Sequence, residues 1–164
     1  VISAPDLADT TFPMPASERE ISIEVPAGPS RRITVYAGKD FPRDFGGHVE
    51  LDLNPGDEVD AVINMVPITT INSGMPIGSS IYVYWNAVSP AYGVIGYKIH
   101  RSDFLEGPYF AVGTANTNGA ATNQFQDKSG PFIIDKYYYY KVSAYTSTIE
   151  GELSDSRSIL FYLS

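Results

Sequence analysis

The chain has 164 residues, is 43% hydrophobic and 13% aromatic, and carries a formal net charge of −8. The negative charge argues against nucleic-acid binding, because phosphates attract clustered Lys and Arg. The absence of cysteine excludes disulfides, thiol catalysis and cysteine-ligated zinc. No stretch approaches the roughly 20 apolar residues that cross a bilayer, so we expect no transmembrane segment in this chain.

The charge is distributed unevenly along the chain. Residues 1–66 contain 12 acidic and 5 basic residues, whereas residues 67–164 contain 7 and 6. Such a difference between two halves indicates a domain boundary near Val66-Pro67. We therefore predict two domains, residues 1–66 and residues 67–164.

The N-terminal half shows apolar alternation between turn signals, a pattern typical of all-β sandwiches. Proline-containing residues 1–17 are expected to supply one or two edge strands, since proline cannot donate to a ladder. Asn54-Pro-Gly-Asp57 predicts a turn. The predicted strands are residues 20–25 (Ile21, Ile23 and Val25 inward), 32–37 (Ile33, Val35 and Ala37), 48–53 (Val49, Leu51 and Leu53) and 58–65 (Val59, Ala61, Ile63 and Met65).

This half is expected to form a small antiparallel sandwich. A domain of about 66 residues is near the lower size limit for independent stability. We therefore expect this half to be stabilised by contacts with the second domain or with further residues upstream. The phrases Val25-Pro-Ala-Gly28 and Val49-Glu-Leu-Asp-Leu-Asn-Pro-Gly56 resemble Ig-like modules of bacterial surface lipoproteins.

The second half begins without a Gly/Ser spacer, since residues 67–76 already read as its first strand. Residues 81–85 alternate and end in the only tryptophan, Trp85, and residues 96–102 form a further predicted strand. The polar stretch at residues 116–123 is predicted to be a mobile loop.

A run of tyrosines at residues 136–145 completes the pattern. Successive strand side chains point to opposite faces. One face therefore carries Tyr138, Tyr140, Val142 and Ala144, and the other Tyr137, Tyr139, Lys141, Ser143 and Tyr145. The first set suits a packed core, and the second is a tyrosine-rich surface around a lysine.

Together these strands resemble a fibronectin type III domain over about the last hundred residues. The resemblance implies that Trp85 anchors the core and that Tyr138 closes a corner onto the preceding loop, with Phe132 six positions earlier. Asp127 and residues 150–155 are similar to bacterial members, whereas the Leu-x-Pro-Gly usual before the corner is absent. The implied core residues are Trp85, Tyr97, Ile99, Tyr138, Tyr140 and Val142.

The resemblance also implies an exposed face. Strands C and F of the family are neighbours in one sheet, so their outward residues would lie together. Tyrosine is enriched at recognition surfaces because it offers a large area and a hydroxyl at little rotamer cost. The candidate binding residues are Lys98, His100, Tyr137, Tyr139, Lys141 and Tyr145. The alternative is that the N-terminal domain or another chain covers this face.

No motif indicates catalysis, a cofactor or a metal. The two histidines, His48 and His100, are predicted to lie solvated on outward strand faces without partners, and no Gly-x-Ser-x-Gly elbow accompanies them. The carboxylate groups at residues 57–60 and 150–152 are interpreted as a solvated acidic edge that discourages aggregation. Nucleotide-binding glycine motifs and an EF-hand calcium loop are absent from the sequence.

The sequence predicts a non-enzymatic all-β protein that serves adhesion, scaffolding or spacing at a bacterial surface or in the periplasm. Because no initiator Met or signal-like leader stands at Val1, we expect a processed fragment, with a lipid anchor as one means of attachment. The alternative function is a carbohydrate-binding accessory module that uses exposed tyrosines. An enzyme with a shallow carboxylate site is the third hypothesis. A protein or carbohydrate ligand is thus the expected partner.

Overall fold

The computed structural model of the protein describes residues 1–12, 20–38, 44–117 and 123–163. Within these ranges all regular structure is β, apart from one 3₁₀ turn at Pro90–Tyr92, and all strand pairs are antiparallel. No helix in the described residues is long and apolar enough to cross a membrane. The all-β fold class predicted from the alternation is confirmed.

The N-terminal half forms a five-stranded sheet in the order β2-β1-β3-β4-β5. Its strands are β1 (Ile2–Ala4), β2 (Leu7–Thr10), β3 (Gly28–Ala37), β4 (Phe45–Leu53) and β5 (Val66–Pro67). Of the one or two edge strands expected from residues 1–17, β1 and β2 are present at one side of the sheet, and residues 13–17 lie outside the described part of the chain. The turn at Asn54-Pro-Gly-Asp57 is also present, with Gly56 at a φ of 87° and an Asp57 N–H bond to the Asn54 carbonyl.

Two of the predicted N-terminal strands, residues 20–25 and 58–65, are wrong. Neither segment is a strand, and Ile21, Val59 and Met65 are exposed rather than buried. Both edges of β3 are occupied, by β1 and β4, whereas the outer edge of β4 is paired only at Phe45 and Gly46, by the short β5. Alternation in a sequence shows which face a strand would bury, but not whether the segment pairs with a neighbouring strand.

A buried arginine holds the chain just before β3 in a non-strand path. Arg31 is 1% exposed and pairs with the Asp6 carboxylate. Its guanidinium also donates to the backbone carbonyls of Pro26 (2.8 Å) and Ala27 (2.5 Å). These carbonyls therefore bind a side chain instead of a neighbouring strand.

The C-terminal half consists of a three-stranded and a four-stranded sheet, in the orders β10-β7-β6 and β12-β11-β8-β9. The first contains β6 (Ile71–Ile77), β7 (Ser80–Trp85) and β10 (Gln124–Asp127). The second contains β8 (Gly96–Ser102), β9 (Phe110–Asn116), β11 (Lys136–Tyr145) and β12 (Arg157–Phe161). Pro67 is the last residue that pairs in the N-terminal sheet, and Ile71 is the first that pairs in the C-terminal sheets, close to the boundary predicted at residues 66–67. The division into two domains stays a prediction.

The core lies between these two sheets. Trp85 and Tyr97 are fully buried with ring centroids 5.1 Å apart. The residues expected in the core, Trp85, Tyr97, Ile99, Tyr138, Tyr140 and Val142, are all buried. Val66 of β5 belongs to the same cluster, so the N-terminal sheet contributes a side chain to the core of the second half.

The corner before β11 forms without the usual Leu-x-Pro-Gly sequence. The Tyr138 hydroxyl accepts a hydrogen bond of 2.9 Å from the Ile133 N–H, as in the tyrosine corners of related sandwiches. Phe132 packs edge-on against the Tyr138 ring, with centroids 5.0 Å apart. The ring contact and the hydrogen bond therefore fix the loop from two sides.

A buried carboxylate links the two sheets. Asp127 of β10 is fully buried and accepts hydrogen bonds from the Tyr140 hydroxyl and the Arg101 guanidinium, both at 2.8 Å. Burial and the Asp127 charge raise the pKa of the Tyr140 hydroxyl far above its ordinary value. Tyr140 is therefore a neutral donor, and the carboxylate also accepts hydrogen bonds from the Ser129 N–H and the Ser129 hydroxyl. Of the loop predicted at residues 116–123, residues 118–122 lie outside the described part of the chain.

Candidate functional site

The six candidate binding residues lie on the outer face of β8 and β11, hereafter the β8–β11 face. The register places Lys141 opposite His100 and Tyr145 opposite Gly96. Tyr137 is 51% exposed, whereas Lys98, His100, Tyr139, Lys141 and Tyr145 are half-buried. The prediction of a shared face agrees with this register; five of the six side chains are partly rather than fully exposed, and their role in binding stays a prediction.

Tyr145 is part of the scaffold of this face. Its hydroxyl donates to the Asn116 side-chain carbonyl at 2.6 Å. Its ring lies across Gly96, where an added Cβ would come within 2.3 Å of the tyrosine oxygen. Glycine at position 96 therefore permits this ring position, and Tyr145 connects β11 to β9.

One end of the face carries an ion pair between Lys98 and Glu150, with 2.5 Å between Nζ and Oε2. The Ser143 hydroxyl also lies 3.3 Å from the Glu150 carboxylate. Partial burial favours the protonated acid, but the hydrogen bond and charge of Lys98 outweigh it and lower the pKa of Glu150. Glu150 is therefore a paired anion.

At the centre of the face, His100 of β8 lies directly opposite Lys141 of β11. The Lys141 ammonium lies 4.7 Å from the centroid of the Tyr109 ring, a cation–π contact. Burial lowers the pKa of His100, because the charged imidazolium loses hydration there. His100 is consequently a neutral ring at neutral pH.

Glu152 connects the β8–β11 side of the sandwich to the N-terminal sheet. Its carboxylate accepts from the Arg32 guanidinium at 3.1 and 3.2 Å and lies 2.5 Å from His48 Nδ1. Glu152 is only 8% exposed. At Gly46 an added Cβ would lie 2.8 Å from Glu152 Cγ, so glycine in β4 leaves room for this side chain.

This contact corrects two predictions made from the sequence. His48 has a partner, Glu152, and the acidic pair at residues 150–152 is not a solvated edge, because Glu152 is buried and both carboxylates are paired. His48 and Glu152 are 104 positions apart. No local spacing could reveal the pair, since it depends on how the two halves pack.

A cleft of ≈ 490 Å³ lies between the N-terminal sheet and the β8–β11 face. The N-terminal sheet contributes cationic and aromatic side chains, and the sandwich contributes His100, Lys141 and the 150–153 segment. Its lining residues are Arg32, Tyr36, His48, His100, Lys141, Glu150, Gly151, Glu152 and Leu153. A shallower depression of ≈ 310 Å³ adjoins it at Lys98, Tyr145 and Glu150.

The charges in this cleft form a network of paired groups. Serine-hydrolase chemistry requires a hydroxyl hydrogen-bonded to the histidine. Among the described residues, no serine or threonine hydroxyl is hydrogen-bonded to His48, and no group of three or more His, Asp or Glu side chains is placed to hold a metal ion. Glu150 and Glu152 each bind a cation already, as in structural ion-pair networks.

The C-terminal half is a fibronectin type III-like β-sandwich. The evidence is the strand order of its two sheets, the buried Trp85 and the corner hydrogen bond of Tyr138. The resemblance proposed from the sequence is thereby confirmed for residues 67–164. The likeness of residues 1–66 to Ig-like lipoprotein modules stays a prediction.

No protein-family model and no curated protein matches the chain. Among solved structures, an Fn3-like protein from Clostridium thermocellum is 23% identical over 56% of this chain and 86% of that one, with a TM-score of 0.43. The β-1,2-glucanase from Parabacteroides distasonis is 21% identical over 70% of this chain and 15% of that one, with a TM-score of 0.47. The chicken CNTN1 FN1–FN3 domains are 18% identical over 82% of this chain and 44% of that one, with a TM-score of 0.47. The chain thus spans less than half of these last two proteins, and the likenesses concern the fold alone.

Proposed function

We propose that this chain is a non-catalytic extracytoplasmic module that spaces or scaffolds the parts of a bacterial surface protein. The observation that carries this proposal is the ionic contact of Glu152 with Arg32 and His48, which joins the two halves. A spacer must keep its ends at a fixed separation, and a buried, multiply bonded carboxylate resists relative rotation of the parts it connects.

Two further contacts support a stiff connection. Val66 is 2% exposed within the core of the sandwich, although its strand pairs with β4 of the N-terminal sheet. The Ile68 N–H also bonds to the Asp44 carbonyl at 2.9 Å. The connecting residues therefore make packing contacts and hydrogen bonds with both halves. The backbone of a flexible linker would instead remain solvated.

The spacer proposal is tested by measuring a distance distribution across the two halves. The chain has no cysteine, so Asp9→Cys with Ser158→Cys gives one spin-label pair on exposed strand positions. Pulsed electron-spin measurements should yield one narrow distribution, and Glu152→Ala should broaden it. Glu150→Ala, which breaks a pair within the sandwich, is the matched control and should leave it narrow. A broad distribution in the unmodified background would refute a rigid spacer.

The extracytoplasmic location is tested separately. Protease treatment of intact source cells should remove the protein from the surface fraction, or osmotic shock should release it from the periplasm. Recovery only with a cytoplasmic marker enzyme would contradict the location without affecting the spacer measurement.

Adhesion through the β8–β11 face is the second candidate function. It is favoured by the exposed Tyr137 ring and by the aromatic and cationic groups of Lys141 and Tyr109 near the cleft. A protein ligand on this face should be weakened at least about tenfold by Tyr139→Ala, because buried aromatic anchors dominate such contacts. Asp52→Ala on the N-terminal sheet serves as the control. A larger loss at Asp52, with strong salt dependence, would instead indicate electrostatic recognition by the acidic half.

A further inference from the structure

The outer face of the three-stranded sheet carries two tyrosines that the proposed function leaves unused. Ile81, Val83 and Trp85 are fully buried, so the alternating residues Tyr82 and Tyr84 point away from the core. Their ring centroids lie 6.4 Å apart, and their planes differ by 18°. The two rings are thus nearly parallel along β7, and both side chains are half-buried.

The neighbouring strands place polar side chains beside both rings. On β10, Gln124 lies directly opposite Tyr84 and Gln126 opposite Tyr82. Gln124 is exposed, and Gln126 donates to the Ser80 hydroxyl at 3.2 Å. On the other side β6 contributes Ser73 and Met75. The two rows across the sheet are therefore Gln124–Tyr84–Ser73 and Gln126–Tyr82–Met75.

The chemistry of these rows matches that of a sugar. A pyranose has a face of C–H groups, which packs on the electron-rich face of an aromatic ring, and a rim of hydroxyls. A glutamine amide both donates and accepts, so it can hydrogen-bond those hydroxyls in either sense. The six residues include no acid, lysine, arginine or histidine, although the whole chain has a net charge of −8. This composition suits an uncharged ligand.

We propose that this face binds an uncharged polysaccharide, with Tyr82 and Tyr84 stacking on two sugar residues of one chain. Gln124 and Gln126 hydrogen-bond the sugar hydroxyls beside the rings. An open sheet face buries little of a single sugar, so affinity depends on two linked subsites acting together. A polysaccharide therefore fits better than a free monosaccharide.

The size of the patch distinguishes this ligand from a protein. Two rows on three strands cover about 7 Å by 10 Å between backbones. A stable protein interface needs roughly 800 Å² from each partner, which the patch alone does not provide. The proposed site is on the opposite sheet from the β8–β11 face, so it is independent of both functions proposed above.

Affinity electrophoresis and titration calorimetry test the proposal with the whole chain. The probes are soluble β-glucan, xylan and mannan as uncharged polysaccharides and polygalacturonate as an acidic one. We expect binding to at least one uncharged polysaccharide, with Kd raised about tenfold by Tyr82→Ala or Tyr84→Ala. Tyr82→Phe and Tyr84→Phe keep the rings and should stay within about threefold of the unmodified chain. Tyr137→Ala, on the other sheet, is the matched control and should leave Kd unchanged.

Four results would overturn the proposal. They are no binding to any uncharged probe, binding to polygalacturonate alone, a loss of binding in Tyr137→Ala but not in the Tyr82 and Tyr84 variants, and a concentration-dependent dimer that Tyr82→Ala dissociates. Thermal melts establish that each variant is folded. If an alanine variant is unfolded, Gln124→Ala at an exposed position decides the question, since it should weaken binding several-fold without affecting the fold.

Discussion

Tryptophan 85 shows how much a single residue determines in this fold. It is fully buried and packs on Tyr97 at 5.1 Å between ring centroids. Removing its side chain leaves a large cavity, so Trp85→Ala should lower the free energy of unfolding by about 3–5 kcal/mol. Urea denaturation followed by circular dichroism measures the loss.

Tyr137→Ala provides the comparison for this first prediction. Tyr137 is 51% exposed, and surface substitutions usually change stability by no more than about 0.5 kcal/mol. Equal midpoints for Trp85→Ala and the unmodified chain would show that Trp85 does not anchor the core.

A second residue-scale prediction concerns His100 and pH. Burial lowers the pKa of His100 below its ordinary value of 6.5. The unfolded chain therefore binds this proton at higher pH than the native chain, so the free energy of unfolding falls as pH drops through 6.5 toward the lowered native pKa. His100→Gln removes this titrating group. The plot of unfolding free energy against pH should therefore be flatter between about pH 7 and pH 5 than for the unmodified chain.

The pH range of this measurement separates His100 from Glu150. The pKa of Glu150 is lowered from an ordinary value of 4.5, so its stabilising contribution is lost only as pH falls below that value. Parallel profiles for His100→Gln and the unmodified chain above pH 5 would contradict the burial effect at His100.

At the scale of elements, the two halves differ in how far the sequence predicts them. In β7, β8 and β11 the alternation, the tryptophan and the tyrosine corner all agree, so the predicted core residues are the buried ones. Residues 20–25 and 58–65 have equally regular alternation but are not strands and pair with no strand of the sheet. Strand pairing is a property of the whole sheet, and a one-dimensional pattern does not contain it.

The candidate site shows the same limit. Parity correctly groups the outward residues of β8 and β11, because it depends only on strand geometry. The Glu152–His48 contact spans 104 positions and depends on Gly46 leaving space in β4. The outward orientation of Tyr82 and Tyr84 follows from the same alternation. The position of the glutamines beside them depends on the pairing of β10 with β7, which the alternation does not contain.

The third prediction concerns the connection between the two sheets. Asp127→Ala leaves the Arg101 guanidinium without its carboxylate and the Tyr140 hydroxyl without its acceptor. Leaving a buried group unpaired is costly, so we expect a loss of about 3 kcal/mol in the free energy of unfolding. Asp103→Ala breaks the Lys136–Asp103 pair, whose aspartate side chain is 50% exposed. Because exposed ion pairs contribute little, this control should cost no more than about 1 kcal/mol. Similar losses in the two variants would contradict the structural role of Asp127.

At the scale of the whole molecule, the two halves are joined by a shared core residue and a charged network. Val66 packs in the sandwich core, and Arg32 and His48 bind Glu152. Arg32, His48 and Val66 are each fixed in a strand of the N-terminal sheet, so these side chains lose little further backbone freedom when the contacts form. The junction should therefore be as protected as the strands beside it.

The last prediction is an order of proteolytic cleavage. Limited proteolysis should cut within residues 1–12 or within residues 116–123 before residues 66–76, because cleavage requires local unfolding and the junction is held by both halves. Glu152→Ala removes the partner of Arg32 and His48 and should accelerate cleavage at residues 66–76. Glu150→Ala breaks only the Lys98 and Ser143 contacts within the sandwich, so it should leave that rate unchanged. Mass spectrometry of timed digests gives the order of the cuts. Early release of two stable fragments from the unmodified chain would show independent domains on a flexible linker, a result that a rigid spacer does not permit.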